Sequence, residues 1–233
     1  MRGAVPARES VGGGAGWRGV LAIVPITVLV GFWPAGPSGG ASPGTEGAGA
    51  VRQLVTVTAA SHSTTYATLR AYRVSGGKRV LVLGPWTARV GYDGVALPGA
   101  KREGDGKTPS GTFGVSFFFG VQRKLDFSFP FRHAYNFDYG DDDPASARYN
   151  EWINTHRHDP GASPEPMHNV PAYDYAAVLA YNTARTPGLG SAIFLHVGIS
   201  SPTAGCVSLP RPRLIKILLW LKQQDHPKIT ISG

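Results

Sequence analysis

Beyond residue 50 the chain is governed by a two-residue alternation. Val51 to Thr58, within "VRQLVTVTAAS", alternates apolar and polar positions, the period of a strand that buries one face. "YATLRAYRV" (Tyr66 to Val74) repeats the pattern, Gly76-Gly77 interrupts it and "RVLVLGPW" resumes it, so residues 66–86 read as a β-hairpin. "ARVGYDGVA" is a short strand broken by glycines, and "GTFGVSFFFG" (Gly111 to Gly120) is β-branched and aromatic, again strand-like. "AAVLAYN" and "SAIFLHVGI" are continuous apolar runs of the kind that form buried strands, and "KITIS" closes the chain as another. One segment changes period. In "PRPRLIKILLWLKQQD", Leu214, Ile217, Leu218 and Leu221 recur at helical spacing, with prolines near the start. Residues 121–170 follow neither period. Their mixture of Phe, Tyr, Asp, His, Asn and Pro predicts an elaborated region covering a cleft rather than a second core. The sum is a mostly β fold, a β-sandwich or partly open barrel with one C-terminal helix.

Composition alters this picture mainly at the N terminus. The 31 Gly and 19 Pro add turns and argue against a helical bundle. Arg2, Arg8 and Arg18 precede a 14-residue apolar core, Val20 to Trp33, and small residues follow in "PAGPSGGASPG". A basic start, a short apolar core and a small-residue exit form a secretory leader. A spanning helix needs about 20 apolar residues, and Pro25 weakens an anchor further. The chain therefore divides into a signal peptide or N-terminal membrane anchor over 1–41, a flexible spacer over 42–50 and a folded domain over 51–233. Its expected location is the cell envelope, outside the cytoplasm.

The formal net charge is +8, from 23 Lys and Arg against 15 Asp and Glu. Residues 1–50 hold three Arg and two Glu, which leaves +7 on the folded domain. That suits anionic envelope polymers or acidic lipid. Nucleic acid is not expected as a partner, because no Lys/Arg-rich run tracks phosphates. The sequence is silent on oligomeric state.

Export gives weight to the single cysteine, Cys206. It has no internal disulfide partner, and an unpaired thiol in an oxidising compartment is a liability. Pairing with a second chain, burial as a small hydrophobe, and service as a nucleophile are the three readings. A nucleophilic thiol needs a base, since its ordinary pKa is about 8.5. His196 ends the apolar run "AIFLHV", and a turn over 199–204 brings Cys206 back beside it. Gly205 permits a tight turn and close approach of a substrate backbone. Free N–H groups of that turn then face a developing oxyanion.

Three ordered segments also resemble a known family. "TPSGTFGV" (Thr108 to Val115), "GSAIFLHV" (Gly190 to Val197) and "SPTAGCVSL" (Ser201 to Leu209) are similar to the L,D-transpeptidase (YkuD-like) catalytic domain, in its short-loop branch. The resemblance runs over about residues 51–233. It implies a predominantly β fold and a cysteine acyltransferase that cross-links peptidoglycan stem peptides through a thioester, with no metal or organic cofactor. It also implies Cys206 as nucleophile, His196 as the base that forms an ion pair with it, and Thr203, Gly205 and Cys206 around the oxyanion. The chain departs from the family pattern at Ala204, where His is usual, and at Ser208, where Arg is usual. Val197 displaces the Gly that follows the motif histidine, and Gly198 comes next. The stem carboxylate is then left to Ser208 and to Arg211 or Arg213. L,D-carboxypeptidase action on the same stems is the alternative activity. A non-catalytic wall-binding module is the alternative class, served by the positive charge and the aromatic 113–139 region.

Other polar residues carry weaker expectations. His168 in "MHNVP" and Asn182, with Tyr181, at the end of a buried strand are candidates to line the cleft. His156, His158 and Asp159 in "THRHDP" have a strand-face spacing but no second ligand motif, so they read as a solvated loop rather than a metal site. The acidic run "DYGDDDP" reads the same way. "GDGKTPSG" lacks the ending and the strand-loop-helix context of a phosphate loop. Papain-like proteolysis is excluded by order, since it places the cysteine before the histidine.

Overall fold

The computed structural model describes residues 50–198 and 200–233. The leader or anchor expected over 1–41 lies outside the described residues, as does the spacer expected over 42–50 apart from Ala50. Twelve strands and one α-helix follow in order: β1 (Gln53–Ala59), β2 (Tyr66–Ser75), β3 (Lys78–Arg89), β4 (Gly111–Gly120), β5 (Phe131–His133), β6 (Asp138–Gly140), β7 (Trp152–Asn154), β8 (Glu165–Pro166), β9 (Ala176–Leu179), β10 (Phe194–Val197), β11 (Val207–Leu209), α1 (Arg211–Trp220) and β12 (Lys228–Ser232).

Of the two architectures expected, the chain takes the barrel, and the ring closes. The order β12-β1-β2-β3-β11-β10-β9-β4 returns to β12, which pairs with both β1 and β4. β5 extends β4 on the outside, and β7-β6-β8 form a separate small sheet. The hairpin expected over 66–86 is β2 and β3, with Ser75 opposite Lys78 and a two-residue loop between them. Both loop residues have positive φ, 53° at Gly76 and 75° at Gly77, the requirement of the type I′ turn that matches strand twist. The glycine-broken segment after β3 is not a strand. It makes isolated bridges, Gly91 to Gly94 and Thr203, and Val95 to Thr108.

The interior is filled by one face of each strand. Val55, Val57, Leu69, Phe118, Leu195, Val207 and Ile229 meet Leu214, Ile217 and Leu218 of α1 in a single cluster. Each such side chain contributes roughly 1.5–3 kcal/mol on burial. The segment expected to be helical runs to Asp225, but α1 stops at Trp220. Leu221 turns to extended backbone, which sinks its side chain fully into the core. Buried Gln53 holds the exit, donating to Trp220 O at 2.8 Å and accepting from Lys222 N at 2.7 Å. A 3₁₀ turn over Gln223–Asp225 then leads to β12.

The region 121–170 departs in part from the expected cover. It builds the β7-β6-β8 sheet, with Tyr149, Ile153 and Met167 fully buried. Met167 joins Phe119, Tyr173 and Phe194 in a second cluster on the outer side of the sheet. Alternation along β4 explains the two layers: Phe118 points to the first cluster and Phe119 to the second. The acidic run is not a solvated loop either. Asp138 and Asp141 are buried, and Asp141 accepts from Asp143 N at 3.0 Å and Ser146 Oγ at 2.5 Å. His156 and His158 are exposed, with the His156 ring 4.5 Å from that of Phe137.

Candidate active site

β10 and β11 run parallel, with Leu195 opposite Val207 and His196 opposite Ser208. Strand alternation sends Leu195 and Val207 into the barrel and leaves His196 and Ser208 on the other face. Cys206 immediately precedes β11, shares the parity of Ser208, and sits diagonally from His196, about 8 Å between Cα atoms by strand geometry. Cys206, His196, Thr203, Gly205 and Ser208 line one cleft of about 350 Å³. The sequence separates the cysteine and the histidine by nine residues; the parallel pairing puts them on one wall.

The sulfur is held between backbone groups. Phe194 N–H donates to Cys206 Sγ at 3.3 Å, and the thiol donates to Ala192 O at 3.2 Å. Among the described residues no hydrogen bond joins Cys206 to His196. Burial pushes the thiol up to about 12, with Glu165 and Asp142 adding to the rise. Burial lowers His196, against the carbonyls of Val197 and Ala172. Both directions favour a neutral thiol beside a neutral imidazole. In this geometry the thiol is bonded to backbone groups rather than paired with His196, and Cys206 is half-buried. His196 Nδ1 lies 2.8 Å from Val197 O. A carbonyl only accepts, so in the neutral ring Nδ1 carries the proton and Nε2 the lone pair. The Tyr173 ring packs edge-on against the imidazole, 5.4 Å between centroids.

Thr203 has a different task from the oxyanion contact expected of it. Its hydroxyl donates to Cys206 O at 2.6 Å and accepts from Gly205 N at 3.2 Å. Thr108 makes a second bond to the same carbonyl, at 3.0 Å, while accepting from Gly91 N at 2.8 Å. Two threonines thus fix the backbone of the nucleophile loop, and the Gly205 N–H is spent within it. A Cβ at Gly205 would come within 3.1 Å of Lys107 O, so the loop packs closely only with glycine there.

The other expected contacts lie elsewhere. His168 is exposed and outside the cleft, whose lining includes its neighbour Asn169. Asn182 closes its own turn, donating to Thr186 O and Gly190 O at 3.0 Å each. Tyr181 also misses the cleft; its ring packs on Phe113. Arg211 pairs with Asp174 at 3.2 Å, and Arg213 lies over Trp86. Neither arginine lines the cleft.

What the sequence did not disclose is an acidic wall. Glu103, Asp142 and Glu165 line the same cleft with one cation, Lys101, and that cation is tied to Asp105 at 2.6 Å. Glu103 accepts from Tyr149 and, at 2.5 Å, from Ser191 Oγ. Tyr173 donates to Glu165 at 2.6 Å. Burial raises Asp142 to about 7, helped by Glu103, Glu165 and Asp141. These carboxylates come from three separated stretches with no common motif, so no local pattern announces them.

No curated protein matches the chain. Among solved structures, the helical cell shape determining protein Pgp2 from Campylobacter jejuni aligns at 15% identity and a TM-score of 0.36, over 77% of this chain and 46% of that one. The family of L,D-transpeptidase catalytic domains, YkuD, matches residues 52–231, nearly all of the barrel and its cleft, and the chain belongs to this family.

Proposed function

We propose that the domain is a cysteine acyltransferase that cross-links peptidoglycan stem peptides. The observation that carries the reading is the placement of the one thiol with the His196 imidazole on one wall of a cleft. Rotation of the thiol away from Ala192 O delivers its proton to His196 Nε2 as sulfur attacks the carbonyl carbon of the third stem residue. The C–N bond to the terminal D-alanine breaks, and the imidazolium returns the proton to the leaving amine. An acceptor amine then attacks the thioester carbonyl, the C–S bond breaks, and the sulfur recovers a proton. The acidic wall supports an amine as acceptor. Glu103 and Glu165 attract its ammonium form, and Asp142 is placed to take the proton that makes it nucleophilic.

The test is incubation of the protein with tetrapeptide muropeptides and mass analysis of the products. Release of D-alanine with formation of dimers is expected, and Cys206→Ala should abolish both. Dimers that persist in Cys206→Ala would move the chemistry elsewhere. A carbapenem, whose strained amide mimics the donor carbonyl, should add once, on Cys206. His196→Ala should slow that addition at least 10²-fold, the usual loss of a general base.

A further inference from the structure

We infer that the tip of the β2–β3 hairpin is a wedge that docks on an anionic lipid surface. Every residue from Lys78 to Val82 is exposed. Val80, Leu81 and Val82 are 64%, 46% and 40% exposed, three successive aliphatic side chains at a strand position where burial is the norm. Successive strand residues point to opposite faces, so both faces of the tip carry aliphatic surface. Register places Val80 with Arg73 on one face, and Leu81 with Tyr72 on the other. A folded protein partner covers one face of a ribbon. Acyl chains and headgroups surround both.

Charge points the same way. Residues 66–89 contain no Asp or Glu, and Arg73, Lys78 and Arg79 are exposed cations at the tip. Asp225 shares a groove beside the tip with Arg52, Arg73, Val74 and Ser75, where two arginines outnumber its one carboxylate. Cations flanking a short aliphatic tip suit a surface of anionic headgroups over an apolar interior.

The experiment places an environment-sensitive NBD label on the full-length protein in a Cys206→Ala background, at Val80→Cys in one sample and Leu81→Cys in another. Vesicles of phosphatidylglycerol and phosphatidylcholine, 1:1, should blue-shift both labels, and nitroxides on the acyl chains should quench both. Pure phosphatidylcholine should do neither. Lys78→Gln and Arg79→Gln should each weaken vesicle binding about fivefold. Adsorption of the chain through Val20 to Trp33 alone leaves both labels in water and overturns the inference. So does a shift at only one label, a shift without vesicles, which signals a second copy, or a shift with anionic wall polymer in place of lipid.

Discussion

Cys206 poses a chemical problem that its surroundings define. With the thiol pushed up to about 12 by burial, the thiolate at pH 7.5 is far scarcer than the several per cent of a free cysteine. Iodoacetamide should therefore alkylate the resting protein far more slowly than it does free cysteine, and faster after unfolding in urea. The His196 base is neutral above its lowered value, so carbapenem acylation should stay flat from about pH 6.5 to 9 rather than rise through the ordinary thiol range near 8.5. A rate that climbs tenfold per pH unit across that window would show a reactive thiolate and refute the neutral pair. Thr108 offers a second test. Its hydroxyl serves both Gly91 N and Cys206 O, so Thr108→Val strands the Gly91 N–H, at about 1–3 kcal/mol, and leaves the Cys206 carbonyl to Thr203 alone. Thr108→Ser keeps both bonds and should restore most acylation, which a loss of packing alone would not. The cysteine and histidine were legible because chemistry restricts which residues serve as nucleophile and base. His168, Asn182 and Arg211 were not separable from structural roles, because a polar residue near a strand end looks the same whether it faces a ligand, its own turn or an ion-pair partner.

At the level of elements, the strands with regular alternation were readable almost to the residue. β1 and β2 each bury a defined face, and that requirement writes the period into the sequence. The short strands β5 to β8 were not readable. Two or three residues hold no period, and their pairing depends on buried Asp138 and Asp141 as much as on apolar faces. The helix was right in its start and wrong in its end, since Leu221 keeps the apolar spacing while leaving the helix. The glycine-broken segment after β3 holds the site together in a way that spacing did not suggest. A Cβ at Gly91 would stand 2.2 Å from Gly106 O and 2.8 Å from Gly94 O. All the obstructing atoms are backbone, so the segments around Gly91 and Gly106 must part. Gly91→Ala should cost at least the 1–3 kcal/mol typical of overpacking. It should also slow acylation, because Gly91 N is the donor that orients Thr108. Urea unfolding with parallel acylation rates measures both, and a variant that loses stability but reacts normally would uncouple Thr108 from the nucleophile loop.

The whole molecule is basic, yet its cleft is walled by carboxylates, and this contrast has a thermodynamic signature. The C-terminal strand β12 bridges β1 and β4 and closes the ring, so the barrel is expected to unfold as a unit and to register protonation anywhere in the cleft. Asp142 is raised from 3.8 to about 7 by burial and by its acidic neighbours, and its buried Oδ1 has no hydrogen-bond partner among the described residues. Between those two pH values the folded chain keeps a proton that the unfolded chain has released. Stability tied to Asp142 is therefore complete below about pH 4 and is lost as pH rises through 7. Glu165, also raised, acts in the same direction. His196, lowered by burial, acts oppositely below 6.5, and Asp105, lowered overall, only at the acid end. A difference between variants isolates the one group. Asn reproduces the shape of the protonated acid and never ionises, so Asp142→Asn should match the parent in melting temperature at pH 4 and exceed it at pH 8. The gain should build between pH 4 and 7 and then stay constant. Calorimetry across that range decides it, and a difference independent of pH would mean that Asp142 is already ionised in the folded cleft. If the gain in stability comes with a loss of dimer formation but not of carbapenem addition, Asp142 serves the acceptor amine and not the thiol.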